Sequence, residues 1–203
     1  MRGLIHRDIK PGNIILCERG DVPDVAKVVD FGLVKEVAAD DGPSRPTVLG
    51  TPGYMAPESI TDPERVGPPS DLYSLGVVAY FLLTGRRLFE GKTALDVCTQ
   101  HVTKPPVAPS ELGIDIPPAL EAIVLSCLAK RPGERPPSAR ELAARLRTVP
   151  ASGGWDEATA LAWWTEFRAT GKPRAALPTS ATITIDVGLR SSITLQPSPQ
   201  LLS

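Results

Sequence analysis

Of 203 residues only three are cysteine, Cys17, Cys98 and Cys127, standing far apart with no metal-ligand spacing. So sparse and odd a set excludes a disulfide framework and a cysteine-rich zinc site, and reads as three free, structural thiols in a reducing compartment. Long apolar runs are also missing. No stretch approaches the roughly 20 apolar residues that a membrane span needs, and no signal-peptide pattern follows Met1. Net charge is nearly absent: 22 Lys and Arg against 23 Asp and Glu leave −1. That removes the broad electrostatic pull of a nucleic-acid or lipid-surface binder. A cytoplasmic chain with no nucleic-acid partner and no membrane segment is expected.

What is present suits one domain plus a tail. Hydrophobic residues make up 42% and charged residues 22%, enough for a sizeable core. The 22 prolines exceed the usual share and cluster in loops and the last third, so the apolar core must be helical elsewhere. Ile14–Leu16 and Ala26–Val29 read as short strands joined by the turn-rich segment Glu18–Asp24. Residues 36–70 are rich in Gly, Pro, Asp and Ser without a sustained period, which predicts mostly loop, and a loop of that length in a compact domain is functional.

Helices follow. Asp71–Thr84 is apolar almost all round, hence buried, with Ser70 as N-cap and Gly85 as its stop. Lys92–Val102, Pro118–Ala129 and Ser138–Leu146 read as shorter amphipathic helices between Pro and Gly breaks. After a linker over residues 149–154, residues 155–169 predict one more amphipathic helix carrying Trp163, Trp164 and Phe167. Residues 170–203 are expected to be a disordered tail or to hold a weak strand.

Chemistry concentrates in three motifs in fixed order. His6-Arg7-Asp8-Ile9-Lys10-Pro11-Gly12-Asn13 comes first, then Asp30-Phe31-Gly32 directly after an apolar strand, then Met55-Ala56-Pro57-Glu58. Any one alone is weak; in this order they exclude an unrelated helical interaction protein. Over about residues 1–148 the sequence resembles the eukaryotic-like (Hanks-type) serine/threonine protein kinases of bacteria, and within them the C-terminal lobe. The resemblance implies a mainly α fold, a helical bundle around a buried central helix with a small β-hairpin at the catalytic site. It implies ATP and Mg²⁺ as cofactors and a protein Ser or Thr as substrate.

Roles carried over by the resemblance run as follows. Asp8 orients or accepts the substrate hydroxyl proton, and Lys10 brings positive charge to the transferring phosphate. Asn13 and Asp30 offer hard oxygens to Mg²⁺, and Ile15 forms an apolar floor under adenine. His6, Phe31 and Asp71 brace the catalytic loop from within, and Glu58 pairs with Arg135 in a buried ion pair. Asp30 to Glu58 becomes the activation segment. Thr47 falls where the family carries its activating phosphothreonine, whose phosphate would pair with Arg7 and Lys35. Thr51 is expected to contact Asp8 and Lys10.

Two further parts of a kinase, a Gly-rich loop over the phosphates and a lysine paired with a helical glutamate, have no counterpart here. No G-x-G-x-x-G occurs, and Val25-Ala26-Lys27, which superficially matches the lysine strand, lies between the catalytic loop and Asp30. The small N-terminal lobe is therefore expected to be absent from this chain. Two functions stay open: a fragment of a protein kinase, weakly active or inactive alone, or a catalytically silent binding or regulatory module. The intact Asp8, Asn13 and Asp30 favour the first.

Overall fold

A computed structural model of the chain describes residues 5–20, 22–30, 47–150, 155–170 and 183–186. Phe31, Lys35 and the stretch up to residue 46 lie outside the described residues, so nothing is placed there. The described architecture is mainly helical, with a hairpin directly after the loop that carries Asp8.

The chain enters through an irregular loop that closes on a 3₁₀ turn, Pro11–Asn13. Strand β1, Ile14–Arg19, then pairs antiparallel with β2, Val22–Val28, with Ile14 opposite Val28 and Ile15 opposite Lys27. Both strands run further than the sequence suggests, so most of the expected turn over Glu18–Asp24 is strand. The register slips between Cys17 and Arg19, and this irregularity absorbs the turn-forming residues without ending the ladder.

Residues 36–70 are not mostly loop where they are described. They contain strand β3 (Thr47–Gly50), 3₁₀ turns at Pro52–Tyr54 and Pro63–Arg65, and helix α1 (Pro57–Thr61). The prolines that read as breakers sit in the first turn of each helical piece. There a missing N–H is no loss and the fixed φ favours helix entry.

Helix α2 accordingly begins three residues earlier than expected, at Pro68, and runs to Thr84 with Gly67 as N-cap. Ser70 is thus inside the first turn, not at the cap, where its Oγ accepts from the Gly67 N–H at 3.2 Å. Gly85 closes the helix at φ 68°, a left-handed backbone that glycine adopts without a Cβ clash. The helix is buried over most of its circumference, as its apolar sequence predicts: Leu72, Tyr73, Ser74, Gly76, Val77, Val78 and Tyr80 are buried, and a narrow strip at Leu75 and Leu82, 37% and 73% exposed, meets solvent. Helices α3 (Ala94–Thr103), α4 (Pro118–Cys127), α5 (Ala139–Arg147) and α6 (Glu157–Thr170) complete the helical set among the described residues. In the tail, β4 (Ile183–Asp186) pairs antiparallel with β3.

The core forms where α2 meets α4 and the segment after α2: Ala56, Tyr73, Val77, Tyr80, Leu88, Phe89, Val124 and Leu128. Gly76 sets the approach. A Cβ there would lie 2.7 Å from the Cys127 Cβ, so the two helices pack this closely only because the position has no side chain. The three cysteines are unpaired thiols, with Cys98 and Cys127 buried.

His101 of α3 is wholly enclosed, its Nδ1 2.9 Å from the Tyr73 hydroxyl and its ring edge-on to Phe89 at 5.0 Å. Burial, aided by the Lys130 charge, pushes its pKa down to about 4 from 6.5. The folded state therefore binds fewer protons than the unfolded chain between those values, and stability falls as pH drops through that window. The full loss is about 3 kcal/mol. Urea melts at pH 7, 5.5 and 4.5 are expected to show it, and His101→Gln should flatten the slope.

Candidate active site

Asp71, in the first turn of α2, positions the loop that carries Asp8. Its Oδ2 accepts the His6 backbone N–H at 2.8 Å and its Oδ1 the Arg7 N–H at 2.9 Å. Arg7 is thereby held at φ 69°, a left-handed conformation uncommon for a non-glycine residue. His6, buried, takes the Asp8 N–H on Nδ1 at 3.3 Å, which leaves Nε2 protonated to donate to the Val29 carbonyl at 3.1 Å. The same histidine thus ties the loop to the segment leading into Asp30.

Asp8 sits at the centre, only 8% exposed. Lys10 Nζ lies 2.6 Å from its Oδ2, the Thr51 hydroxyl donates to its Oδ1 at 2.9 Å, and Lys10 reaches Thr51 Oγ1 at 3.1 Å. Asn13 closes the ring by donating from Nδ2 to the Asp8 carbonyl at 2.8 Å and to Oδ2 at 3.1 Å. Three residues from two segments thus converge on one carboxylate.

The amide protons of Asn13 are spent on Asp8, so its Oδ1 is the atom left to face a cation. The Val29 N–H donates to the Asn13 carbonyl at 2.9 Å, which brings the start of β1 against the residue before Asp30. Asp30 is exposed, at φ 65°. An amide oxygen and an exposed carboxylate at the base of one hairpin fit Mg²⁺, which keeps waters and phosphate oxygens and takes few protein ligands. Ile15 is 48% exposed on β1, beside Leu16 at 49%, and offers an open apolar platform next to these groups.

Glu58 and Arg135 stand 77 residues apart and meet as a parallel double bridge, Nη1–Oε1 and Nη2–Oε2 both at 2.7 Å. Burial pushes the Glu58 carboxyl up, but the bonds from Arg135 and Ser70 outweigh it and hold the group below its ordinary 4.5. Ser70, read from sequence as a cap, donates to Glu58 Oε1 at 2.6 Å. Lys130, which no motif marked, donates to the His101 carbonyl at 2.8 Å and lies 4.8 Å over the Phe89 ring. Burial and the charge of Arg135 lower its pKa to about 8. No motif in the sequence marks such a half-buried lysine. The backbone of Thr47 is in β3, beside the residues leading to Thr51.

A buried acid with a lysine and a hydroxyl on it, next to two hard oxygen donors, supplies what phosphoryl transfer requires: alignment and compensation of phosphate charge. The sequence pattern of the protein kinase domain matches residues 1–145. The chain belongs to the protein kinase family. It is 42% identical over 153 residues to the serine/threonine-protein kinase pkn3 of Myxococcus xanthus, covering 72% of this chain and 28% of that protein. It is 43% identical over 150 residues to the serine/threonine-protein kinase PknB of Mycolicibacterium smegmatis, with 72% and 23% covered. With PksC of Streptomyces coelicolor the figures are 41% over 152 residues, 74% and 26%. The chain thus spans about a quarter of the length of these curated relatives. Among the described residues no helix is long and apolar enough to cross a membrane.

Proposed function

We propose that residues 1–148 are the large lobe of a serine/threonine protein kinase, and that with a small lobe above it this surface transfers the γ-phosphoryl group of ATP to a protein Ser or Thr. The observation that carries the proposal is the convergence of Lys10, Thr51 and Asn13 on the buried Asp8 carboxylate. Held on both oxygens, Asp8 meets an incoming hydroxyl in one orientation and takes its proton as the oxygen attacks phosphorus. Lys10, already beside Asp8, lies where it offsets charge on the phosphate. Asn13 Oδ1 and the Asp30 carboxylate would hold Mg²⁺, which when bound draws charge from the phosphate oxygens. Ile15 underlies the adenine, and Thr51 helps shape the substrate groove. Phosphorylation of Thr47, read by Arg7 and Lys35, would order the activation segment.

The Gly-rich loop and paired lysine that grip ATP from above are not in this sequence, so the chain alone is expected to bind ATP weakly and to transfer phosphate near background. The test is transfer of labelled phosphate from Mg-ATP to a Ser- and Thr-bearing protein. It compares the chain alone with the chain fused behind the N-terminal segment of the Mycolicibacterium smegmatis relative. The fusion should be active, and Asp8→Asn should lower its rate about 10²-fold or more. An active fusion indifferent to Asp8→Asn would overturn the assignment.

A further inference from the structure

We infer that α6, which lies beyond the residues matching the protein kinase domain, is a brace that positions the cation-binding end of the β1–β2 hairpin. The inference rests on Asn13 and Asp30 being the cation ligands. A two-stranded hairpin is marginal on its own, and this one leaves Ile15, Leu16, Val22 and Val28 exposed. Its base is tied by the Val29–Asn13 bond and by His6. At its far end it is α6 that holds it.

The hold is polar and specific in register. Asp24 of β2 sits at φ 58°, and both of its carboxylate oxygens are used. Oδ2 accepts the Trp155 indole N–H at 2.7 Å and Oδ1 the Trp164 indole N–H at 2.8 Å. Arg168, one turn further along α6, pairs with Glu18 of β1 at 2.7 Å. The helix therefore grips both strands. Asp156 starts it independently, accepting the Thr159 N–H at 2.8 Å. A helix docked only by its greasy side would bury its largest apolar residues. Here Trp163 and Phe167 stack on each other and stay 40% and 43% exposed, while Trp164 and Ala160 are buried. Two indole donors on one carboxylate, Trp164 from the helix and Trp155 from just before it, fix the placement of α6 on β2; sliding the helix by one residue breaks the Trp164 bond.

The consequence runs down the strands. Asn13 immediately precedes β1 and Asp30 lies two residues beyond the end of β2, so the twist of the hairpin sets the separation of the two ligands. Fixing the far end limits that twist. Asp24, Trp155, Trp164 and Arg168 are thus positioning residues, acting on the cation site without touching it.

The experiment uses the full chain with Asp24→Asn and Trp164→Phe, and with Trp163→Phe as the control that leaves the brace intact. Two readouts are taken: amide hydrogen exchange, and binding of Mn²⁺ alone followed by water proton relaxation. Both brace variants should speed exchange of the β1–β2 amides about ten-fold while α2 amides keep their protection. They should also weaken Mn²⁺ about ten-fold, and Trp163→Phe should change neither. Unchanged hairpin exchange would overturn the brace, and a loosened hairpin with unchanged Mn²⁺ affinity would overturn the positioning role. Asp30→Asn separates the underlying assignment: Mn²⁺ binding indifferent to it would remove the cation site, and the positioning role with it, whatever the exchange data show.

Discussion

Arg135→Ala is expected to remove a large share of the folding stability of the chain, about 3–5 kcal/mol out of the 5–15 typical of a domain. The guanidinium is fully enclosed and serves more than Glu58. Nε donates to the Ala129 carbonyl at 2.8 Å, Nη1 to Pro69 at 2.9 Å and Nη2 to Lys130 at 3.1 Å, and its plane lies 4.9 Å over the Tyr73 ring. Truncation strips partners from three carbonyls and leaves a buried carboxylate held by Ser70 and the Glu58 backbone N–H without a counter-charge. Urea melts should show the loss as a lower midpoint. Removing both charges with Glu58→Leu and Arg135→Met should recover part of it, because desolvating two charges offsets much of their attraction. If the double variant is no better than Arg135→Ala, the carbonyl bonds and not the ion pair dominate.

The sign of the acid response follows from the same pair. Because the Glu58 carboxyl is held below its ordinary value, its contribution is complete above that value. It is lost as pH falls through the lowered one. The loss comes at lower pH than the onset of the His101 effect, so acid unfolding should steepen below pH 4.5 even in His101→Gln.

Asp71→Ala should act on the catalytic loop, costing about 3 kcal/mol by leaving two backbone N–H groups without their charged acceptor. The His6 and Arg7 amides would lose bonds of 2.8 and 2.9 Å, and Arg7 would lose what holds it at positive φ. The melt alone does not distinguish this from general damage to α2. Exchange at His6 and Arg7 does: those amides should open far more than the α2 amides beyond its first turn. Loss of phosphate transfer by the fused chain is expected to exceed what the change in stability explains, since Asp8 is carried on the same loop.

How far the site was legible varied with the range of the interaction. His6, Asp8, Lys10 and Asn13 stand in one stretch, residues 6–13, so a single short motif marks them all; which of them bonds to which is visible only in the fold. Asp30 follows through one hairpin. In sequence Pro reads alike as a breaker and as a first-turn residue; which one it is depends on whether the next residues find a surface to bury. That choice moved the start of α2 to Pro68 and turned Ser70 from a cap into a donor to Glu58. Asp24 carried no signal at all, since its two indole partners lie 131 and 140 residues away.

By itself the sequence determined the family, the order of the catalytic motifs and the helical character of the core, because these rest on residue type at short, fixed separations. Only the tertiary structure decided that Asn13 closes on both the carbonyl and the carboxylate of Asp8, that His101 is sealed beneath Phe89 and Tyr73, and that α6 returns to the hairpin. The last two depend on two surfaces meeting. The free energy of that meeting comes from burial and from polar groups finding partners across the whole chain, a quantity that no local window of sequence contains.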